Sequence, residues 1–208
     1  MPPTIATRRL GRTELQISEL VFGGGFVGGL LVLAEDDAKR EALRRYLSAG
    51  GNWIDTAALY GGGRSEAAIG WLLQELEPAA RPYVSTKVGV VSPTVDGGAA
   101  GSIASQIEAG FAESSERLQL ESFTLFQLHS QIVTSEDTVG DYSTALTVEE
   151  ILGPGGAENA FSEPLCTKNR SFYQDRHRKH GTNIGSVENQ RRCLQGWPTR
   201  SMTSRRAA

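Results

Sequence analysis

Four short apolar runs, ELVFGGG, NWIDTA, PYVSTKVGV and FTLFQLHS, alternate with three stretches of helical periodicity in this 208-residue chain. That alternation constrains the fold more than any other feature. Strands separated by helices pair in parallel through right-handed crossovers. The runs end near residues 22, 55, 87 and 129, a spacing of about 30 to 40 residues that fits repeated β/α units of an eight-fold barrel or a doubly wound sheet.

The intervening segments carry helix signals. EDDAKREALRRYLSAGG places Asp36 and Asp37 at the positive N-terminal end, and Gly50 and Gly51 stop it. RSEAAIGWLLQEL sets Ile69, Leu72, Leu73 and Leu76 on one stripe. Ser65 and Glu66 read as its start, with Ser as a cap and Glu suited to the dipole. SIASQIEAGFAESSERLQL turns Ile103, Ile107, Phe111 and Leu118 inward. Ahead of all these, RRLGRTELQISEL alternates about Gly11 as a small β-hairpin does. Trp53 and Trp71 read as core.

In a parallel β/α fold the C-terminal strand ends and the loops after them form the functional face. Asp55, Lys87 and His129 each close a strand, and Tyr60 lies in the loop after the second. A phenol has a reference pKa of about 10, too high for easy proton transfer at neutral pH. An adjacent ammonium favours the ionised form, a role open to Lys87, which Asp55 would hold in place. His129 could donate a hydrogen bond to a carbonyl oxygen. Together these groups suit proton delivery to an oxygen on which negative charge develops, with hydride arriving from a nicotinamide.

The motifs RRLGRTELQISELVFGGG, NWIDTAALYGGGRSEAAIG, YVSTKVG and FTLFQLHS resemble the N-terminal half of the aldo-keto reductase family, over about residues 9–152. The most specific is D-T-A-x-x-Y-G-x-G-x-S-E. The run FGGGFVGGL is similar to the branch that oxidises free aldoses at the anomeric carbon, the aldose and galactose dehydrogenases. The resemblance implies a (β/α)8 TIM barrel and a catalytic tetrad falling on Asp55, Tyr60, Lys87 and His129. It also implies NADPH or NADH as cofactor, with Gly24, Gly25, Phe26 and Asp55 at its nicotinamide end. A small-molecule carbonyl or sugar is the implied substrate.

Gly23, Gly25 and Gly28 also spell G-x-G-x-x-G after a strand, the fingerprint of a Rossmann-like module. Against that reading, the next helix begins near Glu35 rather than at the glycines. Asp55 also stands 27 residues past Gly28 instead of about 20.

Apolar content is 39% and no apolar run reaches the length of a membrane span. The start lacks the apolar core of a signal peptide, so a cytoplasmic location is expected. The net charge of −3 points to no nucleic-acid or membrane partner. It hides a split, however. Residues 1–156 carry 11 Lys and Arg against 20 Asp and Glu, a net −9, whereas 157–208 carry 10 against 4, a net +6. Cys166, His177, His180 and Cys193 fall in the second part, at a spacing that matches no usual zinc site, so no metal is expected.

The pattern fails after Leu152. Residues 153–208 show scattered single apolar residues and read as an irregular, disordered basic tail. Residues 1–152 then hold only about the first four β/α units, a partial barrel with exposed sheet edges. Such a tail fits a shifted reading frame, or a truncated form that pairs with another chain. The alternative to an active enzyme is therefore a catalytically inactive relic or an interaction protein.

Overall fold

The computed structural model describes residues 4–11, 13–25, 29–95, 97–134, 144–157 and 160. Of the irregular tail expected over 153–208, residues 153–157 and 160 are described; the rest, with Cys166, His177, His180 and Cys193, lies outside the described residues, as does Phe26.

The chain opens with the expected hairpin. Strands β1 (Thr7–Arg9) and β2 (Gln16–Ser18) pair antiparallel, with Thr7 opposite Ser18 and Arg9 opposite Gln16. Gly11 turns the corner at φ +52°, a left-handed conformation that side chains disfavour. The Asn52 side chain ties this hairpin to the rest. Its Oδ1 accepts from the Ser18 amide at 2.7 Å and its Nδ2 donates to the Gln16 carbonyl at 2.9 Å.

Strands β3 (Phe22–Gly23), β4 (Trp53–Asp55), β5 (Tyr83–Val88) and β6 (Leu125–Leu128) form one parallel sheet in that order. The connections carry helices α2 (Asp36–Ser48), α3 (Arg64–Gln74) and α4 (Ile103–Leu118). Four parallel strands joined by helical crossovers are the arrangement of the first half of a (β/α)8 barrel. The register Gly23–Asp55–Ser85–Leu125 runs straight across the sheet.

The helical stripes read from the sequence are the buried faces. Ile69, Leu72 and Leu73 of α3 join Ile103, Ile107, Phe111 and Leu118 of α4 and Ile54, Val84 and Val88 of the sheet in one core. Full burial of each such side chain stabilises the fold by about 1.5–3 kcal/mol. Trp53 is buried but lies outside this cluster, whereas Trp71 is partly buried, packs against the cluster and carries the Arg40 guanidinium over its ring at 4.8 Å.

Several short elements went unread. Helix α1 (Leu30–Leu33) begins right after the glycine run. Strands β7 (Gln131–Val133) and β8 (Ala145–Thr147) pair in parallel, and helix α5 (Val148–Leu152) follows. Helix α5 starts on a capping box, in which Thr147 accepts from the Glu150 amide and Glu150 accepts from the Thr147 amide. Ala157 and Ala160, past residue 152, pack into the main core. No helix among the described residues is long and apolar enough to cross a membrane.

Helices α3 and α4 touch at backbone distance. A Cβ on Gly70 would lie 2.2 Å from the Arg117 carbonyl oxygen and 3.0 Å from the Leu118 carbonyl carbon. Alanine is otherwise the better helix former by about 1 kcal/mol, but overpacking against backbone outweighs that. Gly70→Ala is expected to lose about 2–3 kcal/mol of stability, read from the midpoint of chemical denaturation. An unchanged midpoint would mean that the two helices part freely.

Candidate active site

The site grows from the end of β4. Asp55 closes that strand, and the loop after it is laced to β5, with the Thr56 amide donating to the Ser85 carbonyl at 2.9 Å and the Ala58 amide to the Lys87 carbonyl at 3.1 Å. The loop then turns so that Tyr60 swings back over the strand ends. Residues two apart on a strand share a face, so Ser85 and Lys87 of β5 both point toward Asp55.

The contacts follow from that placement. Lys87 Nζ donates to Asp55 Oδ2 at 2.7 Å, to the Thr56 carbonyl at 2.8 Å and to the Tyr60 hydroxyl oxygen at 3.4 Å. An ammonium has three protons, and all three are directed. The other Asp55 oxygen accepts from Ser85 Oγ at 2.7 Å, and Ser85 Oγ in turn accepts from the Trp53 indole at 3.0 Å. Asp55 is thus held at both oxygens. The Lys87 side chain is 15% exposed, shielded enough that its charge acts on Tyr60 with little screening.

His129 follows β6, its amide bonded to the Val88 carbonyl at 2.7 Å. Its ring meets the Tyr60 ring edge-on, with centroids 5.7 Å apart at 84°. Nδ1 is buried and has no hydrogen-bond partner among the described residues. Burial and then the Lys87 charge hold this imidazole below its ordinary value near 6.5, against a smaller opposing pull from Asp55. His129 is therefore neutral at pH 7.

A titration follows from that shift. The unfolded chain takes up a proton near pH 6.5 that the folded imidazole refuses, so His129 makes stability fall as pH drops through that value. In Lys87→Met one of the two depressing causes is gone while burial remains. The His129 resonance is expected to titrate at a higher pH in that variant, yet still below 6.5. An unmoved titration would show that the two groups do not sense each other.

The glycine run lies beside this cluster. A Cβ on Gly24 would stand 2.6 Å from Ser65 Oγ and 3.1 Å from the Asp55 carbonyl, and one on Gly25 would stand 3.8 Å from the Tyr60 ring. The bare backbone of Gly25 therefore faces the phenol, while Gly24 beside it lies against Ser65, Thr56 and Asp55.

All four tetrad residues, Asp55, Tyr60, Lys87 and His129, come together with Gly24 and Gly25. Sequence reasoning missed Ser85, although its place two residues before Lys87 was a usable signal. It also misread Ser65. The cap of α3 is Gly63, and Ser65 is a buried helical residue whose hydroxyl serves Gly24. Glu66 does lie in the first turn, but it is fully buried and paired with Arg117.

Known proteins resemble this chain in sequence and fold. The model of the Aldo/keto reductase family matches residues 19–153. L-galactose dehydrogenase of Arabidopsis thaliana is 35% identical over 130 residues, which is 60% of this chain and 38% of that protein. A solved protein of Pseudomonas aeruginosa assigned to the aldo-keto reductases superposes with a TM-score of 0.53 at 24% identity, covering 79% of this chain and 58% of its own. The aldo-keto reductase of Bacillus halodurans, solved in its holo form, gives 0.49 at 24% identity, covering 69% and 51%. The chain thus spans 38% to 58% of the length of these relatives.

Proposed function

The chain belongs to the aldo/keto reductase family, and on that premise we propose that it is an NAD(P)-dependent oxidoreductase with Asp55, Tyr60, Lys87 and His129 as its proton-delivery centre. It interconverts a carbonyl, in an aldehyde, ketone or aldose, with an alcohol or lactone. The substrate is a small molecule, with free sugars such as L-galactose the first to try, given the plant dehydrogenase it resembles. A cytoplasmic setting is part of the same reading.

One observation carries the proposal. Lys87 spends its three protons on Asp55, the Thr56 carbonyl and the Tyr60 oxygen. The Tyr60 oxygen accepts there, so its own proton is the one left to give. The ammonium stabilises the phenolate that remains, which is what a general acid needs. Asp55 keeps Lys87 aimed, and Ser85 keeps Asp55 aimed. Neutral His129 lies edge-on to the phenol and steers a substrate oxygen toward it through a ring N–H.

The residues fit a nicotinamide cofactor. Gly24 leaves bare backbone where a Cβ would fall 2.6 Å from Ser65 Oγ, Gly25 leaves bare backbone beside the Tyr60 ring, and His129 Nδ1 is buried with no hydrogen-bond partner among the described residues. We propose Gly24, Gly25 and Asp55 as the described residues that hold the nicotinamide end, with Phe26 outside the described residues. When bound, NADPH or NADH supplies the hydride.

The second reading is an inactive relic or an interaction protein. Fluorescence titration with NADPH and NADH, followed by turnover assays with aldehydes and free aldoses, separates the two. Cofactor binding with turnover supports the enzyme. A folded chain that neither binds nor turns over supports the second reading.

A further inference from the structure

We propose that Ser65 and Thr56 form a hydroxyl clamp that positions the Gly24–Gly25 backbone against Tyr60 and so sets the affinity for nicotinamide cofactor. The clamp rests on the functional reading above and adds two positioning residues to it.

Both side chains are fully buried, and neither belongs to the tetrad. Ser65 Oγ donates to the Gly24 carbonyl at 2.8 Å. A hydroxyl has one proton, so the 2.9 Å contact between Thr56 and Ser65 must run the other way, with Thr56 Oγ1 donating and Ser65 accepting. The chain of donors is directional, from Thr56 to Ser65 to Gly24. At its other end the Gly24 amide donates to the Asp55 carbonyl at 2.7 Å. Gly24 is thereby gripped on both sides of its Cα, one grip coming from β4 and the other from α3.

Thr56 joins this clamp to the proton centre. Its carbonyl accepts from Lys87 while its side chain feeds Ser65. One residue therefore fixes the ammonium that serves Tyr60 and the glycine backbone beside Tyr60. The space for the clamp exists only because residue 24 is glycine, since a Cβ would fall 2.6 Å from Ser65 Oγ. A buried carbonyl that loses its donor also loses its reason to stay put.

The experiment measures two things in wild type, Ser65→Ala, Thr56→Val and Thr56→Ser. The first is hydrogen exchange of the Gly24 amide, with the amides of Ile69 and Leu73 in α3 as the internal reference. The second is the dissociation constant for NADPH. Ser65→Ala is expected to speed Gly24 exchange and weaken NADPH binding, each by about tenfold, with the α3 amides unchanged. Thr56→Val should shift both in the same direction by less, and Thr56→Ser, which keeps the hydroxyl, should restore both. A role in packing alone would move the α3 amides as much as Gly24.

Faster Gly24 exchange with unchanged NADPH affinity overturns the proposal, and so does unchanged exchange. Should Ser65→Ala fail to fold, the contrast between Thr56→Val and Thr56→Ser decides, and equal behaviour of those two overturns it. If wild type binds no NADPH, the functional reading fails separately, and with it the claim on affinity. The Gly24 exchange then still shows whether the clamp itself exists.

Discussion

Tyr60→Phe is expected to lower kcat by about 10²–10⁴-fold, the range that a positioned general acid contributes. The substitution removes one oxygen and keeps the ring, so the edge-on contact with His129 and the place beside Gly25 survive. Lys87 keeps two of its three acceptors, at 2.7 Å and 2.8 Å, and gives up only the longest, at 3.4 Å. The ammonium therefore stays in place and the fold is barely disturbed. Cofactor affinity should be unchanged, because no proposed binding group is touched. Parallel measurement of kcat and of the NADPH dissociation constant checks this. Equal turnover by the two proteins would remove Tyr60 as the acid.

The second large effect concerns stability. Glu66 is wholly buried on the first turn of α3, where its carboxylate accepts from Arg117 Nε at 2.6 Å and from Thr86 Oγ1 at 2.5 Å. Arg117 sits at the last turn of α4, and its side chain is 27% exposed. The trio pins α3, α4 and β5 together, one residue away from Lys87. Arg117→Ala strands a buried carboxylate with one hydroxyl donor, and removing one partner of such a pair costs about 3–5 kcal/mol. The partial exposure of Arg117 lets water reach part of the gap, so about 3 kcal/mol is the expected loss. Glu66→Gln, which keeps the shape and the Thr86 contact, should lose less. Denaturant melts of both variants test the ranking. If Arg117→Ala is as stable as wild type, the pair is structurally idle.

The ranking matters because the carboxylate at residue 66 looked from the sequence like a favourable end charge on a helix. A sequence shows that Glu66 lies in a first turn, since helix starts are local. It does not show that Arg117, 51 residues on, reaches back to cover it. The same division runs through the whole molecule. The four sheet strands and the three long helices were legible because each rests on a short periodic pattern, and the tetrad was legible because strand ends in a parallel sheet share one rim. Strands β7 and β8 were not. QIV and ALT are three residues each, too short to show a period, and they find their pairing only through contact with one another.

Ser65 was misread for a related reason. A serine followed by glutamate before an apolar run usually marks a cap, but here three glycines precede it, and Gly63 at φ +86° takes the cap position instead. That frees the Ser65 hydroxyl for Gly24, a partner 41 residues away. Thr56 likewise reads as an ordinary polar residue after a strand, and only the fold places Lys87 and Ser65 on either side of it.

The central claim is that this chain, with the strands it has, delivers a proton from Tyr60 as hydride reaches a carbonyl carbon. Single-turnover kinetics test it most directly, with enzyme in excess over NADPH and a reactive aldehyde, following the loss of reduced nicotinamide. The account predicts one full turnover by the wild-type chain. A well-folded chain that binds NADPH and never consumes it contradicts the account.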